Sequence, residues 1–187
     1  MTRPEHIIKA VVRAMREEDL DQVLAIENIS FSLPWPEKAY SYELLENQNS
    51  LLWVAEVTLA NGTVKIIGSI VIWIILDELH IATLAIHPEY RGMGFAKELI
   101  TAALFEGVER GVQIATLEVR LSNSRAQTLY SRFGFRKAGR RKRYYRDNSE
   151  DAIIMTLDNL KNFRAGTNTT HRFETFPMQN LMRSIEP

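Results

Sequence analysis

The chain passes from an apolar strand into a long helix through Leu84-Ala-Ile-His-Pro-Glu-Tyr-Arg-Gly-Met-Gly-Phe-Ala96. Gly92 and Gly94 permit a tight backbone turn, and no Ser, Thr, Asp or Asn stands at the start of the helix to cap it. The first N–H groups of this helix therefore have no side-chain acceptor. Together with the helix dipole they predict an anion site suited to a diphosphate.

Three phosphate-binding patterns can be compared with this turn. A P-loop requires Gly-Lys-Ser/Thr, but Glu98 follows Lys97. A dinucleotide fingerprint requires glycine or alanine where Lys97 stands. Arg91-x-x-Gly94-x-Ala96 fits the signature Q/R-x-x-G-x-G/A. In this it resembles the turn that binds the pyrophosphate of coenzyme A in the GNAT acetyltransferases. For these six residues alone, an ordinary glycine-rich turn stays open as the alternative.

Outward from the turn, hydrophobic periodicity and turn residues predict a mixed α/β sheet of about six to seven strands with about four helices. Asn61-Gly62 predicts a hairpin within a three-stranded meander. Ser124 and Gln127 predict a capping box at the last helix. The predicted strands are 9–14, 51–58, 64–76, 79–86, 114–119, 135–145 and 152–157, and the predicted helices are about 17–31, 37–47, 96–108 and 124–134.

Length and composition favour one soluble globular domain, because 187 residues with 45% hydrophobic and 25% charged residues are typical of one. Lys+Arg and Asp+Glu are 23 each, so the whole chain has no net attraction to nucleic acid or acidic membranes. The chain has no Cys and its four His are dispersed, which predicts no disulfide and no metal site. No secretory signal or spanning segment is evident, and we therefore expect a cytoplasmic protein without membrane contact.

Four blocks carry a wider resemblance: FSLPWP (31–36), IHPEYRGMG (86–94), LEVRLSN (117–123) with LYSRFGF (129–135), and YY (144–145) with EDAIIM (150–155). Over about residues 11–157 the chain resembles the RimI-type protein N-terminal acetyltransferases of the GNAT superfamily. The resemblance implies the acyl-CoA N-acyltransferase fold over a domain at 1–160. It also implies transfer of acetyl from acetyl-CoA to the free N-terminal amine of proteins or peptides, ribosomal proteins among them. Residues 161–187 fall outside it and are expected to form a mobile or docking tail.

Acetyl transfer to an amine requires a base for the amine and an acid for the departing thiolate. Glu118 lies at the end of a half-buried strand, where burial is expected to raise its pKa towards neutrality. Tyr130 lies six residues into the helix after Ser124, about 9 Å along the helix axis, so its phenol can return to the end of that strand. By resemblance, Glu118 accepts the proton, directly or through water, and Tyr130 donates one.

The resemblance also assigns binding residues. Those assigned to the coenzyme are Leu84, Ala85 and Ile86, whose backbone would pair with the pantetheine, then Arg91, Gly92, Met93, Gly94, Phe95, Ala96 and Lys97 at the pyrophosphate, and Asn123. The acceptor peptide would lie against Phe31, Leu33, Pro34, Tyr144 and Tyr145. Plain core or hinge packing is the alternative for these five residues.

Seven basic residues lie between Arg136 and Arg146, directly before the acidic stretch 147–151. They are consistent with a solvated strand that pairs with those acids, with contact to RNA or the ribosome, or with attraction of acidic N-termini. Two rival functions also stay open. One is a small-molecule amine or lysine acetyltransferase of the same fold, and the other is a non-catalytic module that binds RNA or ribosomes.

Overall fold

The computed structural model describes residues 6–163, which form one seven-stranded sheet flanked by four α-helices. This confirms the predicted mixed α/β architecture. The strands are β1 (Ile7–Ala14), β2 (Ser50–Leu59), β3 (Val64–Ile75), β4 (Glu78–Ile86), β5 (Ile114–Arg120), β6 (Arg136–Tyr145) and β7 (Glu150–Leu157). The helices are α1 (Leu20–Ser30), α2 (Glu37–Leu45), α3 (Phe95–Glu109) and α4 (Ser124–Arg132).

The strand order is β1-β2-β3-β4-β5-β7-β6. Neighbours from β1 to β4 are antiparallel, which confirms the predicted meander. Strands β4 and β5 are parallel, but they pair only from Glu78–Ile81 to Ile114–Leu117. Beyond Ile81, β4 pairs with β3 alone, and β5 continues along β7. The sheet therefore splits between the second half of β4 and the end of β5.

The sheet is covered on both faces by helices with apolar stripes. Leu99, Ile100, Ala103 and Leu104 recur at helical spacing in α3 and are fully buried in the larger core. A smaller core on the other face contains Val23 and Ile26 of α1 and Tyr40 of α2. The split in the sheet thus lies between helices that pack on its two faces.

The predicted capping box at α4 is wrong. Asn123, one residue earlier than predicted, is the N-cap, and its Oδ1 accepts the Ala126 N–H at 3.0 Å. The amide nitrogen of Gln127 instead donates to the carbonyls of Arg120 and Leu121, each at 3.0 Å. Gln127 is therefore used to join α4 to the end of β5, and this is why it does not close a capping box.

The chain leaves the described region through a short helical turn, in which Leu160 is fully buried and Phe163 stacks on Phe133 with ring centroids 6.4 Å apart. Most of the tail predicted at 161–187 lies outside the described residues, as do the first five residues of the predicted domain. No helix between residues 6 and 163 is long and apolar enough to cross a membrane.

Candidate active site

The turn before α3 has the conformation that its glycines predict. Gly92 and Gly94 have φ of +88° and +91°, in the left-handed region that side chains disfavour. Gly94 is the N-cap of α3 and no side chain caps the helix there. The first N–H groups of a 15-residue helix are therefore presented to the space in front of it.

Arg91 fixes this turn against the rest of the molecule. Its Nε donates to the Ile86 carbonyl at 2.9 Å, and its Nη2 donates to Ser30 Oγ at 3.2 Å. These bonds use part of the guanidinium and leave its other N–H groups available for an anion. Arg91 thus joins the end of β4 to the end of α1 at the entrance to α3.

A cavity of about 940 Å³ lies in front of the turn. It is lined by ten of the eleven residues predicted to bind the coenzyme, the exception being Met93, which packs against the larger core. The ten are Leu84, Ala85, Ile86, Arg91, Gly92, Gly94, Phe95, Ala96, Lys97 and Asn123. Asn123 is also the α4 cap, so its oxygen is already engaged and its amide nitrogen is the group left for a ligand.

Helix α4 supplies six lining residues that the sequence reasoning missed. Two are Ser124 and Ala126, and the other four are Arg125, Thr128, Leu129 and Arg132. Their spacing of i, i+3, i+4 and i+7 places them on one helix face, and this periodicity was a signal available in the sequence. With Arg91 and Lys97, the lining contains four cationic side chains and no carboxylate.

This lining fits coenzyme A. The cations and the free N–H groups of α3 would hold its phosphates. The unpaired edge of β4 at Leu84, Ala85 and Ile86 would hold its pantetheine arm by backbone hydrogen bonds, and the thioester would supply the activated acetyl group.

Glu118 is nearly buried, with 8% of its side chain exposed, and lies across the split from β4. Its two oxygens are 3.2 Å from His80 Nε2 and 3.0 Å from Arg141 Nη2. The hydrogen bond from His80 and the charge of Arg141 outweigh burial and lower the pKa of Glu118. The expectation of a raised pKa is therefore wrong, because the contacts of the carboxylate with His80 and Arg141 outweigh the effect of burial.

His80 is a residue of this site that the sequence reasoning missed. Its Nδ1 is 3.1 Å from Thr116 Oγ1, which itself donates to Glu78 at 2.7 Å. The ring stacks on Trp73, with centroids 5.5 Å apart. His80 pairs with Thr116 in the parallel register, two residues before Glu118, and no sequence signal reveals that register.

Tyr130 lies in the larger core, 6% exposed, with its ring packed edge-to-face on Phe135 at 5.6 Å. Burial, with a smaller effect of Tyr145, raises its pKa, so the phenol stays protonated at neutral pH. Among residues 6–163 no hydrogen bond joins Tyr130 to Glu118. The structure therefore brings Glu118 together with His80 and Arg141. Tyr130 lies on α4 and, in the described part of the chain, makes no hydrogen bond to this group.

The residues predicted to bind the acceptor peptide lie on the α1–α2 loop and at the end of β6. Phe31 lines the cavity, and Leu33 and Pro34 follow it in the α1–α2 loop. Tyr144 and Tyr145 end β6, with their rings packed edge-to-face at 5.2 Å. Tyr144 is 43% exposed, as a surface that receives a peptide requires.

Arg120 joins the α1–α2 loop to the β6–β7 turn, which directly follows Tyr145. It donates to Ser32 Oγ at 3.2 Å on one loop and to Asp147 at 2.7 Å on the β6–β7 turn, and Ser32 also donates to Asp147. A second nitrogen binds Glu150 at 3.1 Å, and the guanidinium lies 3.9 Å from the Tyr145 ring centroid. No local sequence pattern indicates this contact, because Ser32 and Asp147 are 88 and 27 residues away from Arg120.

No cluster of three or more His, Asp or Glu side chains suited to a metal ion occurs in the part of the chain that the structure describes.

Comparisons with known proteins agree with this geometry. Residues 20–135 match the model of the Acetyltransferase (GNAT) family. A Bacillus subtilis (strain 168) protein named as a candidate [ribosomal protein bS18]-alanine N-acetyltransferase is 44% identical over 147 residues, which are 79% of this chain and 94% of that protein.

Two solved structures are similar in fold and length. The ribosomal-protein-S18-alanine N-acetyltransferase of Escherichia coli superposes with a TM-score of 0.71 at 30% identity, covering 87% of this chain and 99% of the other. A chain of the NatC complex bound to Gag peptide and CoA gives 0.70 at 25% identity, covering 81% and 99%. The family match spans more than half of the chain, and the fold, the glycine turn and the cation-lined cavity agree with it. This chain therefore belongs to the GNAT family of acetyltransferases.

Proposed function

We propose that this protein transfers the acetyl group of acetyl-CoA to the α-amino group of an N-terminal alanine, with a ribosomal protein of the bS18 type as acceptor. The split between β4 and β5 carries the proposal. On the β4 side of this split lies the cation-lined cavity, at Leu84, Ala85 and Ile86. On the β5 side lies the Glu118 carboxylate. The names of the similar proteins support the acceptor. Such an acceptor would place the enzyme in the cytoplasm.

Each step has a group of this chain to perform it. Arg91, Lys97 and the N–H groups of α3 would hold the coenzyme phosphates, and N–H groups of β4 would polarise the acetyl carbonyl oxygen. Glu118, ionised because its pKa is lowered, would accept the amine proton through a water molecule. Tyr130, protonated because its pKa is raised, would give its hydroxyl proton to the departing sulfur.

The test is release of free thiol from acetyl-CoA in the presence of short peptides. One peptide has a free N-terminal alanine, a second is the same peptide with a blocked N-terminus, and a third is blocked and contains lysine. We expect turnover only with the peptide that has the free N-terminal alanine.

Two outcomes would contradict the proposal. Turnover on the blocked lysine peptide would make the enzyme a lysine acetyltransferase. Turnover only after addition of polyamines or other small amines would assign it to the small-molecule enzymes of the same fold.

A further inference from the structure

Positive charge is concentrated at one edge of the sheet. Seven of the 23 Lys and Arg residues lie between Arg136 and Arg146, where there is no Asp or Glu. The rest of the chain therefore has 16 basic and 23 acidic residues. Every residue from Arg136 to Tyr144 is exposed, because β6 is the last strand of the sheet and pairs only with β7. We call these seven basic residues the β6 basic surface.

Internal ion pairs neutralise only part of this surface. Arg136 binds Asp158, and Arg140 binds Asp151. Arg141 binds Glu118. No ion pair with any residue between 6 and 163 is formed by the other four basic residues, Lys137, Lys142, Arg143 and Arg146. In the acidic turn after β6, Asp147 and Glu150 bind Arg120 instead. The predicted pairing of this turn with the basic strand is thus confirmed for Asp151 alone.

The length of the surface indicates the kind of partner. Strand β6 has two irregularities in its pairing and Arg143 has a φ of +52°, so its ten residues lie opposite only residues 150–156 of β7, a length of about 20 Å at ~3.3 Å per residue. One strand of a nucleic acid duplex places a phosphate every ~3.4 Å along the axis, so this edge is matched by roughly six phosphates. An acceptor peptide that enters beside Tyr144 would present only its first few residues to one end of the surface. A long polyanion fits the observed charge distribution better.

We propose that the β6 basic surface docks the phosphate backbone of RNA. The choice of RNA rests on the proposed ribosomal-protein acceptor, which is made and assembled beside RNA. Docking at β6 would place the RNA next to Tyr144 and Tyr145 at the end of the same strand, so an acceptor bound to that RNA would be delivered to the site. Such binding would depend on charge and not on the nucleotide sequence, because the contacts are made to phosphates.

The experiment measures binding of a fluorescent single-stranded RNA of mixed sequence by anisotropy between 50 and 200 mM salt. The test variant changes Lys137, Lys142, Arg143 and Arg146 to Gln. The control changes Lys9, Arg16, Lys38 and Arg110 to Gln, exposed residues outside β6, which alters the net charge equally. We expect the slope of log K against log salt to fall by ~2.8 in the test variant, since each phosphate contact contributes about 0.7. The control should keep the slope of the unaltered protein.

Three results would overturn the proposal: no RNA binding by the unaltered protein, equal losses in both variants, or displacement of the RNA by poly-glutamate at equal charge concentration. The last would identify the partner as an acidic protein segment. Both variants should acetylate a short peptide normally, because neither alters the proposed catalytic or peptide-binding residues. Failure of the RNA measurement would therefore leave the proposed acetylation untouched, and the thiol-release assay tests that separately.

Discussion

At the scale of single residues, the chemistry depends on Glu118 and on what surrounds it. A carboxylate held by His80 and Arg141 is ionised at neutral pH but is a weak base. An α-amino group has a pKa near 8 in solution. Transfer of its proton to Glu118, directly or through water, therefore requires that the pKa of the amine be lowered in the site, as desolvation of the amine would do.

We expect Glu118→Gln and Tyr130→Phe each to lower kcat by roughly 100-fold or more, the lower end of general acid–base contributions. Both substitutions retain the shape of the side chain, and thermal unfolding of each variant will show whether the fold is intact. Turnover close to that of the unaltered enzyme in either variant would remove that residue from its proposed role.

Arg141→Gln should raise the pKa of Glu118, because it removes a positive charge 3.0 Å from the carboxylate. The measurement is a carbon-13 NMR titration of glutamate carboxyl groups, with Glu118→Gln used to assign the signal. Arg110→Gln, which removes a cation outside this site, is the matched control. A Glu118 pKa that stays the same or falls in Arg141→Gln would mean that His80 alone determines the ionisation.

At the scale of elements, the α1–α2 loop and the β6–β7 turn form one unit through Arg120. Neither loop has a helix or strand of its own between its ends, so their relative position depends on side-chain contacts such as Arg120 with Ser32 and Asp147. The acceptor site should therefore be sensitive to residues that never touch the peptide.

We expect Tyr144→Ala to raise the KM for peptide while acetyl-CoA affinity is unchanged, because Tyr144 is outside the cavity lining. Arg120→Gln should act in the same direction by loosening the two loops. An increase of about tenfold corresponds to a loss of ~1.4 kcal/mol. Parallel losses of peptide and acetyl-CoA binding would instead indicate a structural role for the altered residue.

Most elements could be predicted from the sequence because periodicity and turn residues act locally. The glycine turn was predictable for the same reason. The partners of Glu118 were not, because His80 and Arg141 meet it through strand register, and register is set by the whole sheet. Gly68 is a similar case. A Cβ there would lie 2.8 Å from the Ala85 carbonyl oxygen, a close approach between β3 and β4 that nothing near Gly68 in the sequence indicates.

At the scale of the whole molecule, stability depends on pH through a nearly buried ion pair between β1 and the start of α1. Arg13 donates to both oxygens of Asp19, at 2.7 and 2.8 Å, and also binds Glu56. Burial alone would raise the pKa of Asp19, but the hydrogen bonds from Arg13 and from the Arg16 backbone lower it. A lowered pKa contributes stability above the unfolded value of about 3.9, and that contribution is lost as pH falls through the folded value.

We therefore expect the free energy of unfolding to decrease as pH falls below ~4. Asp19→Asn should cost on the order of 3 kcal/mol at pH 7, because it leaves Arg13 without its main partner. The same variant should lose less stability between pH 7 and pH 3 than the unaltered protein does. Urea unfolding at the two pH values measures both effects, and an equal loss in variant and unaltered protein would assign the acid sensitivity to other carboxylates.

The concentration of cations on β6 has a consequence for the protein in solution. The formal net charge is zero and the isoelectric point is about 6.9, yet seven of the 23 basic residues lie together on and just after β6. Such a molecule has a concentrated positive patch and no net charge to keep its copies apart near neutral pH. Copies should associate head to tail in dilute buffer and separate on addition of moderate salt, so light scattering at pH 7 should decrease between 10 and 150 mM salt as the screening length falls from about 30 to 8 Å.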